Sequence, residues 1–288
     1  MKTYHEHYKA SQQVYKEDKG PFAYPRTKLY DYTVREYGPS KSDNLIQVDD
    51  RILSLIGDIS DVGSRRFNDP NSHCWYPPDV NRDYDTVLRI KNVWDIGAIN
   101  ELASLIVPQI ETSLFGSYSI VDGLYFYRTV HKENGDMRGS FLWHYDNHIK
   151  ERIKILFYLN DVSDDNGPFE YLWNETGLCG FKAETKRVDH AQWQKYHSRV
   201  GEKEIQFLAE RGFAPKKMIG PKGTFAMFDN NCVHRANMPA PGHSRDVFVL
   251  MCRPYHEKLH PHIDKKWTGT NYHVDTNPNP ETIEVVKK

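Results

Sequence analysis

The sequence predicts a mainly β domain with flanking helices, and three observations predict it. Runs rich in β-branched and aromatic residues dominate the second half of the chain. A stretch beginning at Asp95 has the apolar spacing of an amphipathic helix, and a polar segment of helical composition at about 182–213 interrupts the strands. A length of 288 residues accommodates all of this in a single domain, 1–288, with its core at about 118–254.

Taken in order, residues 1 to about 48 are polar, rich in Tyr and punctuated by Pro and Gly, which predicts an extended arm packed on the domain. Asp61–Asp85 contains DPNSHCWYPPDVNRDYD, whose Pro pair and Asn/Asp content predict irregular chain. From Asp95, a candidate cap, Ile96, Ile99, Leu102, Leu105 and Ile106 share one helical face, so this helix should cover a sheet. Strands are expected in SYSIVDGLYFYRTV, RIKILFYLNDV, GTFAMFDN and SRDVFVLMCRP, each bounded by turn-forming residues. The excursion at 182–213 should end near Gly212, and the tail after Arg253, with its Asn-Pro-Asn-Pro, should be loop.

Composition narrows the function. Lys and Arg total 38 against 39 Asp and Glu, and a net charge of −1 gives no electrostatic footprint for nucleic acid or an anionic membrane. Mean hydropathy is low at −0.72, yet aromatics reach 13%, which disordered chains lack; a folded protein with long polar loops is expected. No apolar run of about 18 residues occurs and the first residues lack a signal-peptide core, so a cytoplasmic protein is expected. Cys74, Cys179, Cys232 and Cys252 are scattered singly, as free thiols in a reducing compartment would be.

The sharpest local feature is Trp143-His144-Tyr145-Asp146, just before a predicted strand. In extended chain, residues two apart project to one face, so His144 and Asp146 can converge on one ion. A third ligand must come from elsewhere, and His234, after the strand GTFAMFDN, is the candidate. Two imidazoles and a carboxylate on one octahedral face suit non-haem Fe(II), because three positions stay open. Arg245 follows His234 by eleven residues, in what looks like the returning arm of a hairpin with loop ANMPAPGH, which would bring the two side by side. Its planar fork pairs bidentately with a carboxylate, as the far end of a bound diacid would require.

In that order, WHYDNHIKERIKILFYLNDVSDDNGPFEYL and HRANMPAPGHSR resemble the phytanoyl-CoA-dioxygenase-like branch of the Fe(II)/2-oxoglutarate-dependent oxygenases; the likeness spans roughly residues 118–254, about half of the chain. The resemblance implies a double-stranded β-helix, the jelly-roll or cupin-like fold, with the metal in the mouth of two facing sheets. It implies His144, Asp146 and His234 as iron ligands and Arg245 as anchor for 2-oxoglutarate, with Tyr127 or Arg128 helping from the preceding strand and Ser244 and His243 close to the anchor. It further implies that O2 and 2-oxoglutarate are consumed, with succinate and CO2 released, while a small-molecule substrate is oxidised at a C–H bond, most simply hydroxylated. Halogenases of similar pattern carry Gly or Ala where this chain has Asp146, so a halide position is not expected.

Two other classes stay open at this point. A non-catalytic jelly-roll binding module would need neither the intact trio nor Arg245, and a cupin-type metal-dependent hydrolase or isomerase would give Arg245 no role. Trp143, Tyr145, Tyr125, Phe169, Tyr171 and Trp173 are candidate pocket aromatics. Lys150, Arg152 and Lys154 alternate along one strand face and are expected to be solvated, with recognition of an anionic substrate group as the alternative; His148, His256, His260 and His262 are expected on surface loops.

Overall fold

The computed structural model describes residues 4–19, 34–43, 45–75, 86–133, 139–146, 152–177, 179, 180, 198–255, 257 and 258. Two antiparallel sheets form the jelly-roll. The larger has strand order β1 (Val34–Tyr37), β8 (Phe225–Asp229), β5 (Ile153–Tyr158), β10 (Ser244–Pro254), β4 (Ser119–Val130), β3 (Val87–Ile90) and β2 (His73–Trp75). The smaller has order β7 (Ala214–Lys217), β6 (Phe169–Trp173), β9 (His234–Ala236).

The pleat sorts side chains between two interiors. On β5, β8 and β10, Leu156, Tyr158, Ala226, Phe228, Val247, Val249 and Met251 point toward the small sheet and meet its Phe169 and Tyr171. Their neighbours Ile155, Phe157, Phe225, Met227, Phe248 and Leu250 point the other way, onto helices α2 (Asp50–Asn68) and α3 (Gly97–Ile110). Strands buried on both faces read as continuous apolar runs, which is why β5, β8 and β10 stand out in the sequence. A third cluster packs Tyr145, Leu172, Val233 and Phe213 against Leu208 of α4 (Glu202–Ala209).

Several expectations need correction. Residues Tyr4–Lys19 form a helix, α1, not an extended arm, and β1 adds to the edge of the large sheet beside β8. Asp61–Asn68 belongs to α2, which starts where Asp49 caps the backbone N–H of Ile52 at 2.9 Å. Its buried stripe Ile52, Leu55, Ile56, Ile59, Gly63 and Phe67 has helical spacing, and a Cβ on Gly63 would lie 2.0 Å from the Phe126 ring. Asp95 does not cap α3; it closes a short helical turn, Val93–Asp95, and Ile96 occupies the cap position without a side-chain bond. Of the excursion, 181–197 lies outside the described residues, while Glu202–Ala209 is helical and Gly212 takes the left-handed conformation at φ 81°.

The correction that bears on function concerns the loop 237–243. His234 and Arg245 do not sit on two arms of a hairpin: β9 pairs with β6 in the small sheet, whereas β10 pairs with β4 and β5 in the large one. The loop crosses the space between the sheets, so the two residues face each other across a cleft.

Candidate metal centre

The segment 143–146 is held extended by backbone bonds on both sides. His144 N–H donates to the His234 carbonyl at 2.9 Å and His234 N–H to the His144 carbonyl at 2.8 Å, so the two histidines are a reciprocal antiparallel pair. Asp146 N–H donates to the Asn230 carbonyl at 2.8 Å, and on the outer side Tyr145 N–H and Val200 N–H bond the carbonyls of Ser198 and Trp143 at 3.0 and 2.9 Å. Residues two apart therefore do share a face, and the backbone alone brings in a histidine ninety positions away in sequence.

Side-chain bonds aim the rings. Nδ1 of His144 lies 2.8 Å from the Leu142 carbonyl and Nδ1 of His234 lies 2.8 Å from the Cys232 carbonyl. A carbonyl only accepts, so each Nδ1 carries the proton and each Nε2 presents a lone pair. Those lone pairs flank Asp146: His144 Nε2 is 3.7 Å from Oδ1 and His234 Nε2 is 3.8 Å from Oδ2. One ligand atom from each of the three lies within 4.8 Å of the others. Burial, followed by the neighbouring His234, pushes His144 down to about 3, and burial also lowers His234, so both rings are neutral at physiological pH. Neutral imidazole is the form that ligates metal. Lys154, from β5, forms an ion pair with Asp146 Oδ2.

The trio opens into a cavity of about 540 Å³. Its walls include Tyr125, Tyr127, Leu156, Phe169, Phe228, Val249 and Met251, so it occupies the space between the sheets. Arg245, 2% exposed, is part of the same lining. Its Nη1 donates to the carbonyl of Gly167, while its Nε is buried without a hydrogen-bond partner among the described residues. Gly167 itself has φ 70°, and a Cβ there would lie 2.3 Å from the Asn237 carbonyl, so the Asp-Asn-Gly-Pro turn needs glycine at this position. Asn166 Nδ2 donates to the Ser244 carbonyl at 2.9 Å, and Asn237 Nδ2 to the Pro168 carbonyl at 3.0 Å. This turn fastens the loop that crosses between the sheets and sets the height of Arg245.

Strand alternation separates the remaining candidates. Tyr127 lines the cavity, but Arg128 is on the opposite face of β4, where it grips Asp246 with two bonds of 2.7 Å and lies 4.4 Å from the Phe67 ring centre. Ser244 does not line the cavity, and its place in the pleat is on the Asp246 face. Of the aromatics, Tyr125, Tyr145 and Phe169 line the cavity. Tyr171 is buried between the sheets with its hydroxyl on Glu36, Trp143 stacks under Arg235, and Trp173 lies near Lys216.

The solvated-face reading of the basic run is wrong: Arg152 is 1% exposed and paired with Asp122, and Lys154 points at Asp146. Lys150, His148, His256, His260 and His262 lie outside the described residues. Sequence reasoning passed over Gly167 and Arg199, and it did not foresee that Lys154 pairs with Asp146. The alternation that placed Arg152 and Lys154 on one face was visible, but which interior that face met was not.

No protein-family model matches the chain, and no curated protein matches it by sequence. Solved structures do match by shape. The epimerase SnoN, in complex with Fe3+, alpha-ketoglutarate and nogalamycin RO, is 12% identical with a TM-score of 0.53, over 79% of this chain and 82% of that one. EctD from S. alaskensis, with 2-oxoglutarate and 5-hydroxyectoine, is 13% identical with a TM-score of 0.51, over 91% of this chain and 88% of that one. At such identities the likeness establishes architecture, and the chain shares the jelly-roll fold of these two proteins.

Proposed function

We propose that the chain is an Fe(II)- and 2-oxoglutarate-dependent oxygenase of the phytanoyl-CoA-dioxygenase-like type, a single domain over 1–288 that hydroxylates a C–H bond of a small molecule. The reading is carried by one juxtaposition: two neutral imidazoles and a carboxylate converge at the floor of a cavity whose wall also holds a buried arginine. Both solved structures named above contain 2-oxoglutarate, which supports the same choice of cosubstrate.

The donor set fits the ion. His144 and His234 offer Nε2 and Asp146 offers a carboxylate oxygen, three donors on one side that leave room for exchangeable ligands on the other. Arg245 suits the distal carboxylate of the keto acid, because its unused Nε–H is buried and needs an acceptor. Tyr127 is placed to add a hydroxyl contact from β4, and neither Arg128 nor Ser244 is assigned a part. When bound, iron and 2-oxoglutarate supply the oxidation: O2 is consumed, succinate and CO2 leave, and the substrate C–H becomes C–OH. The protein's share is positional. Backbone bonds fix the two histidines, Lys154 orients Asp146, and Phe169, Phe228, Leu156, Val249 and Met251 give the cavity an apolar wall. No helix among the described residues is long and apolar enough to cross a membrane.

Calorimetric titration of 2-oxoglutarate checks the assignment. Binding is expected only when the protein is loaded with Mn(II) as a redox-silent substitute for iron, since the keto acid needs both the ion and Arg245. Equal affinity with and without metal would remove the proposed chelation.

A further inference from the structure

We infer that the substrate carries an ammonium group and docks it on Glu204, in a hollow that adjoins the metal cavity. The inference rests on the oxygenase reading above and names the kind of molecule that reading leaves open. The hollow, of about 740 Å³, shares Phe141, Arg199 and Arg235 with the metal cavity, and Trp143 in its wall directly precedes His144. A molecule can therefore place one carbon over the metal and its body in the hollow. The apolar part of the wall is Phe141, Leu142, Trp143, Val200 and Ile205, of which Leu142 is exposed.

The charged part of the wall comes from Arg199, Glu202, Glu204 and Arg235. Arg235 is held by Glu170 at 2.5 Å and lies 4.4 Å from the Trp143 ring centre. Arg199 has contacts of its own and stands opposite His144, lining both cavities. The two carboxylates come from the first turn of α4 and line the hollow but not the metal cavity, while Lys203 between them is exposed and lines neither. Glu202 is exposed, and the positive end of the helix accounts for an acidic residue there. It does not account for Glu204, which is 4% exposed and whose Oε2 is buried without a hydrogen bond among the described residues. No side chain caps the helix start either. A buried acceptor without a donor is costly, and an N–H from a bound molecule relieves it. An ammonium group supplies that donor together with the opposite charge, and Glu202 at the rim adds to the attraction. The fitting substrate is an amine with an apolar body.

The probes are hexylammonium, hexanol and hexanoate, which share an apolar body and differ in the head group. Saturation-transfer NMR reads their affinity in the metal-free protein. Proton relaxation by paramagnetic Mn(II), with N-oxalylglycine as an unreactive analogue of the keto acid, reads their nearness to the metal. Hexylammonium is expected to bind at least about tenfold tighter than either of the others, and Glu204→Gln to remove that preference while hexanol affinity holds. Glu202→Gln should weaken hexylammonium by only about twofold, as loss of an exposed charge does. Hexylammonium no tighter than hexanol or hexanoate in the wild type, or a preference that survives in Glu204→Gln, would overturn the inference. So would a bound amine that Mn(II) does not relax in protein holding the ion. Wild-type protein that binds the amine through Glu204 but fails to hold Mn(II) would overturn instead the metal assignment, and the substrate role with it.

Discussion

Two carboxylates, Asp122 on β4 and Asp146 in the extended segment before β5, are both paired with cations and have different fates. Asp122 on β4 is 1% exposed and clamped from both sides, by Arg152 at 3.0 Å and by Arg253 at 2.9 Å, and it lines neither of the two cavities described above. Asp146 has Lys154 on one oxygen, two imidazole lone pairs facing it and an open cavity in front. Pairing with a cation is common to the two; imidazole lone pairs beside open space are not. Asp122 ties β4, β5 and β10 together where they adjoin, and Asp146 faces the cavity where we propose that an ion binds.

Breaking each cluster should therefore do different damage. The largest stability effect is expected from Asp122→Ala, which takes the shared carboxylate from two buried guanidinium groups and should cost about 3–5 kcal/mol in urea unfolding. The protein that remains folded should still bind Mn(II). His144→Ala should reverse the pattern: metal affinity falls by more than about a hundredfold, while the metal-free protein unfolds near the wild-type midpoint. Arg245→Ala comes next, retaining metal but weakening 2-oxoglutarate by about ten- to a hundredfold, and Arg245→Lys should recover little because a lysine lacks the fork. Calorimetry against Mn(II) and 2-oxoglutarate resolves all three.

The last expected effect is on pH dependence, and two buried groups, His144 and Glu111, should respond with opposite sign. His144, held near 3 against an ordinary 6.5, contributes stability that is full above about 6.5 and is lost as pH falls toward 3, because the unfolded chain takes up the proton first. Glu111 lies at the Asp122 end, where it accepts from Ser119 N–H at 2.7 Å. Burial pushes it up to about 7 from 4.5, so its contribution is full below about 4.5 and disappears as pH rises through 7. Urea midpoints of the metal-free protein across pH should flatten on the acid side in His144→Gln and on the alkaline side in Glu111→Gln.

What the sequence disclosed follows from how each element is buried. Strands β4, β5, β8 and β10 and helix α3 are legible because both faces or one full stripe must be apolar. The strands β1, β2, β3, β7 and β9 are three or four residues long, too short for a period to emerge. The trio of ligand candidates was legible because His144 and Asp146 needed only local extended geometry. The position of Arg245 was reached through a mistaken hairpin, since loop chemistry such as Asn237 to His243 is the same whether the next strand returns to its own sheet or crosses to another. Tyr127 and Arg128 differ by one residue, and only the observed pairing of Arg128 with Asp246 decides which faces the cavity. Lys154 depended on which interior β5 faces, a long-range fact with no local signature.

The central claim is that His144, Asp146, His234 and Arg245 together bind a metal and a keto acid, and anaerobic absorption spectroscopy tests it most directly. Fe(II) and 2-oxoglutarate added to the wild-type protein should produce a weak visible charge-transfer band, absent in His144→Ala and appearing only at higher 2-oxoglutarate in Arg245→Ala. A well-folded wild-type protein that gives no band under these conditions would contradict the account.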